Sequence, residues 1–180
     1  MAVPSQGTVA VGDKITASLW NDDVRDAVNF LISPPRVKVY KTANQSIADN
    51  AYACLTWNAE AFDSDTMHDN TTSNSRITFT TAGTYQITLN CLWANNSTGI
   101  RNHTIEKNGS TSINSGTKIL EPFAFNPGNA THNGVSVSLM HSFAAGDWIQ
   151  VFVLQNSGGA LNLSGTTEAH SSFSARWISS

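Results

Sequence analysis

The spacing of apolar residues along the chain changes once, near residue 35. Before that point they recur every three or four residues, which is the period of a helix with one apolar face. That face consists of Trp20, Val24, Ala27, Val28 and Leu31. Ser18 is a suitable N-cap, and Pro34 with Pro35 should end the helix because proline disfavours helical backbone in the residue before it. We expect residues 1–14 to form a flexible arm ahead of this helix.

From Arg36 onward the apolar residues alternate with polar ones, which is the pattern of half-buried strands. The alternation predicts strands at 36–40, 51–57, 76–80, 85–93, 102–107, 135–141, 148–154 and 173–177. Many short strands with turns between them, and no second helical pattern, indicate an all-β sandwich or jelly roll. We therefore divide the chain into an N-terminal arm and helix, residues 1–35, and a β-rich head, residues 36–180.

The strand at 148–154 is unusual because both of its faces are apolar. One face consists of Ile149, Val151 and Val153, and the other of Trp148, Phe152 and Leu154. A strand that is apolar on both sides is buried on both sides. In a single sandwich layer this favours a partner subunit on the second face, so Ile149, Val151 and Val153 are candidate trimer-interface residues. The alternative is that the loop 109–132 or the N-terminal helix covers the strand.

Four short motifs in order resemble those of the C1q/TNF-like jelly rolls. The segment Thr80-Thr81-Ala82-Gly83-Thr84-Tyr85 is similar to the family's turn before an alternating strand, and Glu106-Lys107-Asn108-Gly109 to its Asn-Gly hairpin. Ala145-Gly146-Asp147-Trp148 is similar to its Gly-Asp strand start, and Ser171-Ser172-Phe173-Ser174-Ala175 to its closing strand. Together with Phe62-Asp63 the resemblance spans about residues 37–178.

This resemblance implies a ten-stranded jelly roll that assembles as a compact homotrimer about a threefold axis. The chain departs from animal members of the family because it carries neither a collagen stalk nor a signal peptide, which argues against a secreted, complement-like role. The stretches 64–75 and 108–134 do not resemble the family, and their loops cannot be predicted.

The N-terminal segment resembles a different group of proteins. The helix in GDKITASLWNDDVRDAVNFL is similar to the opening of structural proteins from phages of actinobacteria, in which such a helix precedes a β-rich head. The matching residues are Ile15, Thr16, Ala17, Trp20, Asn21, Val24 and Arg25. The resemblance implies a component of the virion, made in the host cytoplasm.

Composition excludes several classes of function. Only 13% of the residues are charged, the net charge is −3, and Lys and Arg do not cluster with aromatics, so binding to nucleic acid or to a membrane surface is not expected. No run of about 18 apolar residues is present, so we expect no membrane insertion. Cys54 and Cys91 lie among apolar neighbours and are expected as buried thiols, with a bridge between facing strands as the alternative.

Chemistry-bearing residues do not form a recognisable catalytic or cofactor motif, so we expect neither an enzyme nor a cofactor. Asp63, Asp65, His68 and Asp69 share one loop, but a calcium loop needs glycine where His68 stands, which favours a solvated acidic loop. Of the histidines, we expect His141 in the core and His103, His132 and His170 at the surface. Packing is the expected role of Trp57, Trp93, Trp148 and Trp177.

The sequence thus supports a trimeric structural protein displayed on a phage capsid, as a decoration or a head spike or fibre knob. Residues 1–33 would attach it to capsid or tail proteins, with Trp20, Val24, Val28 and Leu31 as the candidate anchor. The alternative is a receptor-binding module at the tail tip or tail fibre, recognising a glycan or protein of the host surface.

Overall fold

A computed structural model describes residues 3–4, 7–8, 10–121, 123–125, 133–167 and 171–180 of the chain. Its helix, called here the N-terminal helix, is α-helical at Ala17–Leu19, π-helical at Trp20–Arg25 and α-helical at Asp26–Ile32. The N-cap is Thr16, whose side-chain oxygen accepts from the Leu19 amide at 3.2 Å, so the predicted cap at Ser18 is wrong by two residues. The helix ends before Pro34-Pro35, as predicted.

Thirteen strands follow within these described residues. They are β1 (Arg36–Tyr40), β2 (Gln45–Ile47), β3 (Ala53–Cys54), β4 (Ala59–Asp63), β5 (Arg76–Thr78), β6 (Gly83–Trp93), β7 (Ile100–Lys107), β8 (Thr117–Leu120), β9 (Phe123–Phe125), β10 (Asn133–Phe143), β11 (Trp148–Gln155), β12 (Leu161–Leu163) and β13 (Ser172–Ser179). The head is therefore all-β, which confirms the predicted fold class.

The strands form two antiparallel sheets that pack face to face. In the seven-stranded sheet the order is β2-β12-β6-β13-β1-β4, and β10 pairs with the other edge of β6. In the six-stranded sheet the order is β3-β11-β7-β8, with β5 also pairing with β11 and β9 with β7. Strands distant in sequence, such as β1 and β13, pair directly, which is typical of a jelly roll.

The core lies between the two sheets and follows the alternation of the sequence. Tyr85, Leu89, Phe79 and Phe173 are fully buried, as predicted, whereas Leu139 is only half-buried. Phe79 stacks on Phe143 with ring centroids 3.8 Å apart. The expected register of β6 is therefore confirmed, because a shift of one residue would have placed Leu89 on the outside.

Gly83 and Asn108 show why two of the recognised motifs need their residues. Gly83 has φ of +148°, and a Cβ there would lie 2.2 Å from Trp177 Nε1, so only glycine fits at the first position of β6. Asn108 has φ of +57° after β7, as expected of an Asn-Gly turn. The tight hairpin is nevertheless wrong, because nine residues, 108–116, separate β7 from β8.

Candidate functional site

The three candidate interface residues on β11 lie inside the molecule. Ile149, Val151 and Val153 each have 0% of their surface exposed and belong to the core between the sheets. Their side chains are therefore already covered by the chain's own seven-stranded sheet, and a neighbouring subunit cannot reach them without opening that core. This corrects the place where a trimer contact was expected.

The other side of β11 is also covered within the chain. Gln150 and Phe152 are buried on it, beside Glu106 of β7. Glu106 accepts hydrogen bonds from the amides of Asn114 and Gly116 at 2.7 and 3.1 Å. With its nitrogen toward the loop, the Gln150 amide donates to the Gly109 and Ser110 carbonyls at 2.9 and 3.0 Å. The alternative explanation, a loop over the strand, thus accounts for its burial at this end.

The outer face of the seven-stranded sheet, formed by β10, β6, β13 and β1, is open by comparison. Cross-strand register arranges its side chains in three rows: Met140-Gln86-Arg176-Arg36, Ser138-Thr88-Ser174-Lys38 and Ser136-Asn90-Ser172-Tyr40. Half of these twelve side chains are short and uncharged, and several bond to one another: Ser136 donates to Asn90 at 2.8 Å, and Ser138 lies 3.3 Å from Thr88. We call this surface the open sheet face.

Two apolar side chains project from the open sheet face. Met140 is 69% exposed and Ile178 is 44% exposed. Ile178 lines a cleft of about 330 Å³ together with Leu31 and Pro34 from the end of the helix and Trp177 and Arg176 from β13.

The four candidate anchor residues lie on the exposed side of the N-terminal helix. Trp20, Val24, Val28 and Leu31 are 55%, 38%, 46% and 69% exposed. The helix instead touches the head through Phe30, whose ring meets Trp177 edge to face at 4.8 Å. Sequence reasoning missed Phe30 because it is a single apolar residue on the polar side of the helical pattern.

Arg36 and Arg176 lie side by side on the open sheet face. They are direct partners in the antiparallel register of β1 and β13, and both line a cleft of about 260 Å³ with Phe62, Gln86, Thr88 and Ser174. The Arg36 guanidinium lies over the Phe62 ring, 5.2 Å from its centroid. Within the described residues no carboxylate forms an ion pair with either arginine.

The expected solvated acidic loop at 63–69 is wrong in part. Asp65 is buried, and its Oδ2 accepts from Thr80 and Thr81 hydroxyls at 2.5 and 2.7 Å. Asp63 accepts from the Asp65 and His68 amides, and burial raises the pKa of Asp63. Only Asp69 is exposed as expected. These carboxylates bond to their own turns and to threonines of the next segment, so they hold the loop in place.

The histidine predictions are corrected as well. His103 is fully buried on the core side of β7, where Nε2 accepts from Trp93 Nε1 at 3.0 Å. Burial lowers the pKa of His103 to about 4. His141, expected in the core, is half-exposed beside Phe143. His132 and His170 lie outside the described residues.

Trp57, Trp93 and Trp177 are in the core as predicted, whereas Trp148 is half-buried under Arg76.

Both cysteines are free thiols. Cys91 is buried in the seven-stranded sheet and Cys54 is half-buried in the six-stranded one, which favours the first of the two expectations. Burial raises their pKa values to about 12 and about 11. Sequence reasoning missed Lys41, which is buried. Its ammonium donates to the Gln45 side chain and to the Thr56 carbonyl, and burial lowers its pKa to about 8.

Among the residues that the structure describes, no three His, Cys, Asp or Glu side chains are grouped so that they could hold a metal ion. In the same residues no helix has both the length and the apolar character needed to span a bilayer.

No protein-family model and no curated protein sequence matches the chain. Solved structures do match it. Murine APRIL at pH 5.0 superposes with a TM-score of 0.60 at 10% identity, over 80% of this chain and 98% of its own. Eiger TNF from S. frugiperda superposes with a TM-score of 0.57 at 9% identity, and the match covers 81% of this chain and 92% of Eiger.

The globular domain of the zebrafish complement 1qA protein gives a TM-score of 0.54 at 14% identity, over 80% of this chain and 97% of its own. The head is a TNF/C1q-like jelly roll. At these identities the likeness concerns the fold alone. The structure thus confirms the fold that the motifs around Gly83, Asn108 and Gly146 implied.

Proposed function

We propose that this chain is a non-enzymatic structural protein of a bacteriophage, displayed on the particle as a homotrimer. The phage assignment rests on the resemblance of the N-terminal helix, from Ile15 to Arg25, to phage structural proteins. The trimer is supported by the fold, since TNF/C1q-like domains commonly form homotrimers. Such domains are binding or structural modules rather than enzymes, which fits the same proposal.

The main support for the trimer is the open sheet face, which is suited to contact with a second subunit. Short side chains such as Ser136 and Ser138 make it flat, and their hydroxyls already bond to neighbours, so a covering subunit leaves few polar groups unpaired. Met140 and Ile178 add apolar surface that water exclusion would stabilise. In this proposal the open sheet face takes the role first expected of Ile149, Val151 and Val153.

The N-terminal helix is proposed as the attachment element. Phe30 fixes it to the head, while Trp20, Val24, Val28 and Leu31 face outward and lose water only if something else covers them. A trimer brings three such helices near one axis, where they can bundle through these residues. In this proposal residues 1–14 contact capsid or tail proteins, and residues 36–180 form the displayed head.

The oligomeric state is the first test. Multi-angle light scattering on the purified chain should give three times the 19.3 kDa monomer mass. A monomer that persists at micromolar concentration would contradict the trimer.

A truncation that begins at Arg36 tests the attachment. We expect the shortened chain to fold and to remain trimeric, and to be absent from particles assembled in its presence. Normal incorporation would contradict the anchor, and a monomeric product would assign trimerisation to the helix. The matched control is the full-length chain, purified and added to the same assembly reaction.

Imaging of intact particles separates the two virion locations. Capsid decoration predicts many copies distributed over the shell, at positions related by the shell's symmetry. Density confined to the tail tip would favour the alternative, a module that binds a glycan or protein of the host surface.

A further inference from the structure

Among the residues that the structure describes, no carboxylate forms an ion pair with the arginine pair on the open sheet face. Arg36 and Arg176 are direct cross-strand partners, a position at which two like charges destabilise a sheet. The residues that line the clefts on either side of Arg176 include no Asp or Glu. The cations that do form ion pairs within the described residues include Arg25, Lys107 and Lys118.

The side chains around Arg36 and Arg176 could help to bind a ligand between the two guanidinium groups. Stacking on Phe62 holds the Arg36 guanidinium in place, with 5.2 Å between its central carbon and the ring centroid. Gln86, Thr88 and Ser174 add an amide and two hydroxyls along the same cleft, whose volume is about 260 Å³. Planar guanidinium groups present paired N–H donors that match two oxygens of a tetrahedral or planar oxyanion.

We infer that the cleft between Arg36 and Arg176 binds a small oxyanion of the sulfate, phosphate or carboxylate class. One anion satisfies both guanidiniums and removes their mutual repulsion. The binding itself does not need a partner subunit. Its consequence for assembly rests on the proposed trimer: when the open sheet face is covered, an unneutralised arginine pair would be buried at high cost, so the anion should favour association.

The probe is sodium sulfate, compared with sodium chloride at equal ionic strength. Sulfate also stabilises proteins in general by exclusion from their surface, an effect that rises steadily with concentration. A site gives instead a saturating rise in melting temperature. We expect that saturating component in the wild-type chain and in Lys14→Gln, which removes one exposed positive charge far from the cleft.

Two variants of the site complete the experiment. Arg176→Gln should lose the saturating component, and Arg176→Lys, which keeps the charge but not the planar fork, should bind sulfate roughly tenfold more weakly. Isothermal titration calorimetry measures the same binding directly. Equal behaviour of all four proteins would overturn the proposal.

Light scattering on the same samples separates this inference from the trimer. Saturable sulfate binding by a chain that stays monomeric would support the site and contradict the trimer. A second result would overturn the small-anion site: Arg176→Gln weakens the trimer in sulfate-free buffer, and the wild type shows no saturable effect of sulfate. That result would assign Arg176 to a carboxylate of the neighbouring copy.

Discussion

The two sheets of the head present outer faces of opposite kinds. On the six-stranded sheet Glu106 and Gln150 are long, polar and fully buried, because the loop 109–116 folds back and supplies their hydrogen-bond partners. On the seven-stranded sheet Ser136 and Ser138 are short, polar and exposed, and bond only to their neighbours. Polarity therefore does not indicate which face is covered. What differs is the length of the side chains and whether the chain returns over them.

The largest expected effect comes from placing a charge at one buried position and at one position of the open sheet face. Val151→Asp places a charge in the core without a partner, which should cost about 3–5 kcal/mol or more and give unfolded or insoluble protein. Met140→Lys adds a charge to the open sheet face, in the same cross-strand row as Arg176 and with Gln86 between them. It should leave the fold within about 0.5 kcal/mol of the wild type and abolish the trimer.

Urea denaturation and light scattering measure these two outcomes. A soluble, trimeric Val151→Asp protein would show that the core is not where the structure places it. A trimeric Met140→Lys protein would move the contact away from the open sheet face.

The two sides of β6 give the next comparison. Leu89→Ala removes a fully buried side chain and should lower the free energy of unfolding by about 2–5 kcal/mol. Thr88→Ala, one residue earlier on the open sheet face, should lower that of a monomer by about 1 kcal/mol or less. Chemical denaturation of both variants is the measurement, and a reversal of the two values would contradict the register of β6.

A third comparison uses the two histidines at different depths. The pKa of His103 is lowered from its ordinary 6.5 to about 4, mainly by burial of the ring and further by the positive charge of Arg101. Below pH 6.5 the unfolded chain therefore binds this proton more readily than the folded chain does. As a result the free energy of unfolding, which is unaffected above pH 6.5, decreases by about 3 kcal/mol as the pH falls toward 4.

The midpoint of urea unfolding at pH 7 and at pH 4.5 tests this dependence. His103→Gln should flatten it, while His141→Gln, at a half-exposed site, should leave most of it in place. If His141→Gln flattens the curve and His103→Gln does not, the assignment to the buried ring is wrong.

The smallest effect concerns the two sides of the N-terminal helix. Phe30→Ala removes the contact with Trp177 and should release the helix from the head, seen as faster amide exchange across Asp26–Ile32. Val28→Ser, on the exposed side, should leave exchange in the isolated monomer unchanged. Slower incorporation of Val28→Ser into particles would then indicate that this side contacts the virion or the other helices.

Much of the fold could be predicted from the sequence because alternation and helical spacing are local properties. Regular alternation located β1, β6 and β10, and the period change at Pro34-Pro35 located the end of the helix. The strands β2, β4, β8, β9 and β12 were missed. Four of them have only three or four residues, too few for a period to show, and Ala59–Asp63 of β4 does not alternate regularly. Their existence depends on pairing with strands far away in the chain.

The candidate contact surfaces were decided only by the tertiary structure. The sequence determined that Ile149, Val151 and Val153 are buried, because three apolar β-branched side chains on one strand face are stabilised when they are removed from water. It could not determine what covers them, since a loop 109–116 and a second subunit remove water equally well. Likewise the cross-strand register of β1 and β13, joining residues 140 positions apart, is what places Arg36 beside Arg176. Pairing across that separation depends on the whole sheet, and no local pattern contains it.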